Sequence, residues 1–129
     1  MRNKILVTGA AGFIGSHLCR YLAQISDAQI IGIDNLRSGD WSRTPDIVER
    51  VEADIGIVTP TEWADMCDGV DLVFHLAAEK YNSSRSTPDK LMLTNVIATE
   101  HLARAAALAG VRRFVFTSSL TADSLPCGS

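Results

Sequence analysis

The sequence predicts an α/β fold built on a doubly wound parallel sheet, and three observations carry that expectation. Short apolar runs rich in β-branched residues, at 4–8, 29–34, 48–53, 72–76 and 114–118, read as strands buried on both faces. Segments of helical periodicity separate them, which calls for parallel strands joined by crossover helices. A glycine-spaced stretch at 9–15 falls between the first strand and the first helix, where such folds turn.

The first helix is expected over residues 13–25, with Ile14, Leu18, Leu22 and Ile25 on one face and its N-terminus at the end of the first strand. A second begins where Thr59 can cap, Pro60 suits the first helical position and Glu62 completes a capping box; Trp63 and Met66 are its expected core contacts. The third and longest starts near Thr87 and Pro88 and places Leu91, Asn95, Ala98, Leu102, Ala105 and Ala109 at three- or four-residue spacing, with Gly110 as its C-terminal cap. Residues 38–45 and 81–87 read as polar loops. The expected strand order is 3-2-1-4-5, which leaves the fifth strand at an edge.

A chain of 129 residues, 47% hydrophobic, can bury one core and is too short for two ordinary domains. Its formal charge of -3, with Lys and Arg scattered, leaves no basic footprint for nucleic acid or anionic lipid. The apolar start after Met1-Arg2-Asn3-Lys4 mimics a secretory signal, but Gly9, Gly12 and Gly15 interrupt it, and no run has the eighteen or so apolar residues a membrane span needs. A cytoplasmic protein is expected. Cys19, Cys67 and Cys127 form no CxxC pair, and His17, His75 and His101 lack ligand spacing, so neither a disulfide framework nor a metal site is expected. His75, inside an apolar strand, reads as a packed core histidine rather than a general base.

The chemistry sits in Val7-Thr8-Gly9-Ala10-Ala11-Gly12-Phe13-Ile14-Gly15. Gly9 permits a tight turn, Gly12 lets backbone approach a pyrophosphate, and Gly15 allows close packing of helix on strand, while the free N–H groups of the helix start attract the anion. Asp34 follows Gly15 by nineteen residues and ends the second strand, where a carboxylate can accept hydrogen bonds from both hydroxyls of an adenosine ribose. That favours NAD over NADP. Two alternatives stay open: Arg37 can pair with a 2′-phosphate, and Asp34 with Asn35 can serve turn chemistry alone. Asp54 ends the third strand as Asp34 ends the second, at the carboxyl edge where open sheets bind ligands.

The segments VTGAAGFIGSHL, DNLRSG, ADI, HLAAEK, TNVIAT and VFTSS, in that order, resemble the landmarks of extended short-chain dehydrogenase/reductases, specifically the NAD-dependent epimerase/dehydratase branch with its Rossmann-type sheet. The resemblance covers residues 4–119. It implies that Phe13 and Ile14 lie beside the pyrophosphate, that Asp34, Asn35 and Leu36 surround the ribose, and that Asp54 and Ile55 frame the adenine. Leu76, Ala77 and Ala78 would line the nicotinamide side, with Lys80 and Asn95 as polar contacts. Ser119 is the implied catalytic hydroxyl, acting in that family with a tyrosine and a lysine four residues on, the lysine lowering the phenol's pKa. The only tyrosines, Tyr21 and Tyr81, are not followed by lysine at the fourth position.

Residues 1–119 are thus expected to form a dinucleotide-binding domain, 120–129 an atypical tail, and the substrate domain of the family is expected to be absent. Three functions stay open: the NAD-binding portion of a nucleotide-sugar epimerase or dehydratase, inactive by itself; a non-catalytic NAD(H)-binding or regulatory module; and a folded remnant. The expected partners are the dinucleotide, a nucleotide sugar if missing sequence completes the site, and further copies of the chain, in a homodimer or a larger assembly, since the fifth strand is left as an edge that can template another chain and similar enzymes commonly dimerise through the third helix and one that is absent here.

Overall fold

The computed structural model of the chain describes residues 3–37, 39–77 and 92–117. Its elements are β1 Lys4–Thr8, α1 Phe13–Ile25, β2 Gln29–Asp34, β3 Glu49–Glu52, α2 Pro60–Cys67, β4 Leu72–His75, α3 Ala98–Ala109 and β5 Arg113–Phe116. The strands make one sheet in the order β3-β2-β1-β4-β5, all neighbours parallel, the topology expected from the sequence.

Alternation along β1 feeds two cores. Ile5 and Val7 point to the α1 side, where they meet Cys19, Leu22, Ile30 and Val48. Leu6 points the other way, into a cluster with Ile31, Ile33, Trp63, Val73 and Leu102 under α2 and α3. Both layers are therefore filled by neighbouring residues of the same strands, which is the period-two logic of a doubly covered sheet. Full burial of Leu102 on the α3 stripe is worth roughly 2 kcal/mol relative to leaving it in water.

The expectation that all five strands are buried on both faces fails at the edges. Glu49, Arg50 and Glu52 of β3 are exposed, as are Arg113, Val115 and Phe116 of β5. Among the described residues only β1, β2 and β4 have a hydrogen-bonded strand on each side, so the outer two have fewer elements to cover them.

Local chemistry sets the helix ends. Thr59 Oγ1 accepts from the Glu62 N–H at 3.1 Å and the Glu62 carboxylate accepts from the Thr59 N–H at 2.9 Å, a complete capping box with Pro60 in the first turn. Gly110 closes α3 in the left-handed region at φ 80°, where its lack of a Cβ removes the steric penalty. The third helix departs from its expected regularity: residues Met92–Ile97 form a π-helical turn before the α-helix begins at Ala98. The expected start at Thr87 and Pro88 lies outside the described residues. No helix among the described residues is long and apolar enough to cross a membrane.

Candidate functional site

The carboxyl ends of β1, β2 and β4 open onto a cleft of about 420 Å³. Its floor is the turn after β1. Gly9 adopts φ +73°, and a Cβ there would approach the Ala77 N at 3.0 Å, so glycine is required both by conformation and by the closeness of the β4 end. A Cβ at Gly15 would overlap the Gly9 carbonyl oxygen, which is how α1 comes to start directly against the turn. Gly12 differs: a Cβ there would meet only the Gly9 carbonyl oxygen, at 3.4 Å. The space above Gly12 is open rather than filled by protein.

Gly12 is the N-cap of α1 and supplies no side chain to it, and the first turn of the helix carries no acidic residue. Helix geometry leaves the N–H groups of Phe13, Ile14 and Gly15 without intrahelical acceptors. They carry the positive end of the helix dipole at the cleft, beside the exposed side chains of Phe13 and Ile14. Such a helix start can accept an anion.

Across the cleft stands Asp34, almost fully buried. One carboxylate oxygen accepts from the Ala11 N–H at 3.0 Å, tying the end of β2 to the glycine turn, and the other accepts from the Leu36 N–H at 2.8 Å. Leu36 has the left-handed backbone, φ 63°, that this second bond accompanies. The Asn35 Oδ1 accepts from the Arg37 N–H at 3.0 Å, so the turn chemistry anticipated for these residues is present. It does not exhaust the carboxylate, whose two oxygens offer about four acceptor positions.

The remaining wall comes from Ala53, Ile55, Leu76, Ala77 and Thr94, with Arg43 and Thr117 at the rim. Thr8 Oγ1 holds this wall by accepting from the N–H groups of Leu76, at 3.0 Å, and Ala77, at 3.1 Å. Of the residues expected from the sequence, Gly9, Gly12, Phe13, Ile14, Gly15, Asp34, Asn35, Ile55, Leu76 and Ala77 converge on the cleft. Leu36, Asp54 and Asn95 are not among its lining residues: Leu36 bonds the Asp34 carboxylate, and Asp54 caps the short 3₁₀ turn Ile55–Ile57 by accepting from the Gly56 N–H at 2.9 Å. Ala78, Lys80 and Ser119 lie outside the described residues.

Three lining residues were not anticipated, Arg43, Ala53 and Thr94, whereas Thr117 lies at the end of the fifth strand, which the sequence places beside the cofactor. Thr94 had a legible signal, since it lies four positions before Ala98 on the buried stripe of the third helical segment. Arg43 had none. It reaches the cleft because its loop docks on the glycine turn, through the Asp40 N–H to the Ala11 carbonyl at 2.9 Å and the Thr44 hydroxyl to the Ala10 carbonyl at 3.1 Å.

The histidine expected to be a core residue is one. His75 is fully buried, and burial lowers its pKa to about 4, which leaves it neutral and unsuited to general-base work near pH 7. Cys19 and Cys67 are buried thiols, each pushed up to about 11 by desolvation and hence unreactive near neutrality.

The sequence model of the NAD dependent epimerase/dehydratase family matches residues 5–123. The chain belongs to that family. Among curated relatives of this family member is a UDP-glucose 4-epimerase of Mycolicibacterium smegmatis, 38% identical, with 90% of this chain and 38% of the relative covered. The solved structure of the epimerase Mth375 from Methanothermobacter thermautotrophicus superposes with a TM-score of 0.80 at 36% identity, over 92% of this chain and 35% of that one. A UDP-glucose-4-epimerase from Stenotrophomonas maltophila, solved with bound NAD and formylated UDP-arabinopyranose, gives a TM-score of 0.77 at 33% identity, over 94% and 38% of the two chains. This family member therefore spans well under half the length of these relatives.

Proposed function

We propose that the cleft binds NAD(H) in preference to NADP(H), and that the chain is the cofactor-binding portion of a nucleotide-sugar epimerase or dehydratase. One observation carries the reading: the uncapped N-terminus of α1 faces a cleft whose opposite side is the fixed Asp34 carboxylate. The pyrophosphate takes the N–H groups at the helix start, over the open space at Gly12. Asp34 accepts from the ribose hydroxyls and would repel a 2′-phosphate. Leu36 and Asp54 serve this site indirectly, the first by orienting the Asp34 carboxylate, the second by capping the turn that carries Ile55. Leu76, Ala77 and Ala78 take the nicotinamide side, with Lys80, Asn95 and Ser119 as the polar groups of that end.

When bound, the nicotinamide supplies a reversible hydride acceptor. What this chain contributes is binding and orientation. Its proton chemistry is incomplete, because a serine hydroxyl without an adjacent base is a poor proton acceptor and no tyrosine in the 129 residues has a lysine four positions on. Nucleotide sugars are the proposed substrate class on the strength of relatives such as the UDP-glucose 4-epimerases. The 129-residue chain is expected to bind cofactor without turning over such sugars.

Calorimetric titration with NAD⁺ and NADP⁺ tests the reading, and NAD⁺ is expected to bind more tightly. Equal or tighter NADP⁺ binding would move the deciding role to Arg37 or Arg43. A folded chain that binds neither would leave only a remnant of the family, and turnover of a nucleotide sugar that Ser119→Ala abolishes would overturn the assignment of incomplete chemistry.

A further inference from the structure

Two sides of the cleft wall, the Leu76–Ala77 segment and the turn that carries Thr94, are joined by a chain of side-chain hydrogen bonds whose direction follows atom by atom. Thr8, fully buried, sits at one end. Its Oγ1 accepts from the Leu76 and Ala77 N–H groups, at 3.0 and 3.1 Å, and lies 2.7 Å from His75 Nδ1. A hydroxyl has two acceptor positions and one hydrogen. The Ala77 amide and the Leu76 amide, the latter shared with the Thr8 carbonyl at 3.2 Å, take the acceptor positions, so the hydroxyl hydrogen goes to Nδ1, which carries no proton. Reversing that bond would crowd three donors onto one oxygen and leave the buried Thr8 hydrogen with no acceptor, at a desolvation cost.

The rest follows from the tautomer. A neutral imidazole without a proton on Nδ1 carries it on Nε2, and Nε2 lies 2.8 Å from Thr99 Oγ1. Thr99 passes its own hydrogen to the Asn95 carbonyl at 3.1 Å, inside the π-helical turn Met92–Ile97 that supplies Thr94 to the cleft. The imidazole plane is held by Phe116, stacked at 5.5 Å between centroids.

We propose that His75, as the Nε2–H tautomer, is a positioning residue that couples the Leu76–Ala77 wall of the cleft to the π-helical turn through Thr8 and Thr99. The proposal concerns the chain itself and stands whether or not the cleft takes NAD(H). It explains why a polar ring is retained in an apolar strand: a hydrophobic residue there would leave the Thr8 hydroxyl hydrogen without its acceptor and the Thr99 oxygen without its donor.

Long-range ¹⁵N–¹H correlation spectra of histidine-labelled protein at neutral pH read the tautomer directly and need no variant. A single Nε2–H species is expected for His75, and an Nδ1–H species or an imidazolium would overturn the proposal. Hydrogen exchange then tests the coupling. Thr99→Val removes the acceptor of Nε2–H while touching neither Leu76 nor Ala77, and it is expected to speed exchange of the Ala77 amide several-fold, with Thr99→Ser restoring the wild-type rate. Unchanged Ala77 exchange in folded Thr99→Val, or failure of Thr99→Ser to restore it, would mean that the two sides are held independently.

Discussion

Single side chains at this site each answer to two neighbours, and the cost of changing them follows from that. Asp34 is fastened to the glycine turn and to Leu36 at once, so its carboxylate is oriented before any ligand arrives. His75 shows the same economy with a testable pH signature. Burial lowers its folded-state pKa to about 4 from 6.5, so between those values the unfolded chain binds the additional proton and unfolding is favoured as pH falls. The stability present above pH 6.5 should therefore decline toward pH 4, with a slope approaching about 1.4 kcal/mol per pH unit once well below 6.5 and a total of roughly 3 kcal/mol. The lowered carboxyl pKa values of Asp40 and Glu62, due mainly to backbone hydrogen bonds at their caps, add acid sensitivity only below the ordinary carboxylate range. Urea unfolding between pH 7 and pH 5 isolates the histidine, and an unchanged midpoint across that range would refute its neutral, buried state.

At the scale of elements, the N-terminus of α1 makes the sharpest prediction because its three glycines have separable duties. Gly9 and Gly15 are bound up with the fold, one by its positive φ and the other by contact with the Gly9 carbonyl, whereas Gly12 faces open space. Gly12→Val should leave circular dichroism close to wild type and weaken NAD(H) binding at least a hundredfold, the branched side chain standing where the phosphates approach; unchanged affinity in a folded variant would displace the proposed pyrophosphate position. Elements set by local chemistry were legible from the sequence. The bounds of β1, α1 and β2 follow from apolar runs and glycines, the start of α2 from Thr59, Pro60 and Glu62, and the end of α3 from Gly110. What escaped depends on contacts distant in sequence. Arg43 enters the cleft only because Asp40 and Thr44 bond to Ala11 and Ala10, and the π-helical turn departs from a periodicity that Leu91, Asn95 and Ala98 share with an ordinary helix. Strand exposure was misread for the same reason, since an apolar run does not say whether its strand ends up at an edge.

For the whole molecule, the strand order has a consequence for association. β5 pairs with β4 on one side, and among the described residues no strand pairs with its other side. Val115 is 39% exposed and Phe116 56%, so the edge offers unpaired backbone together with apolar side chains. An edge of that kind is a template for another strand, and beyond Arg113 at its start β5 has neither the proline nor the charge that blunts such edges in natural sheets. β3 differs: Glu49, Arg50 and Glu52 place charge along the opposite edge and disfavour pairing there. Association is therefore expected to be one-sided, through β5, and to give a dimer with two-fold symmetry rather than an open array, because a contact that buries the same patch on both partners closes on itself. Light scattering over a concentration series should show two chains per particle, and Val115→Lys, which puts a charge into that patch, should return the chain to a monomer without unfolding it. A particle that stays monomeric at every concentration, with the β5 amides protected from hydrogen exchange, would show that the edge is covered within one chain. A dimer that survives Val115→Lys would place the contact elsewhere, with the exposed Leu108 on α3 the next position to substitute.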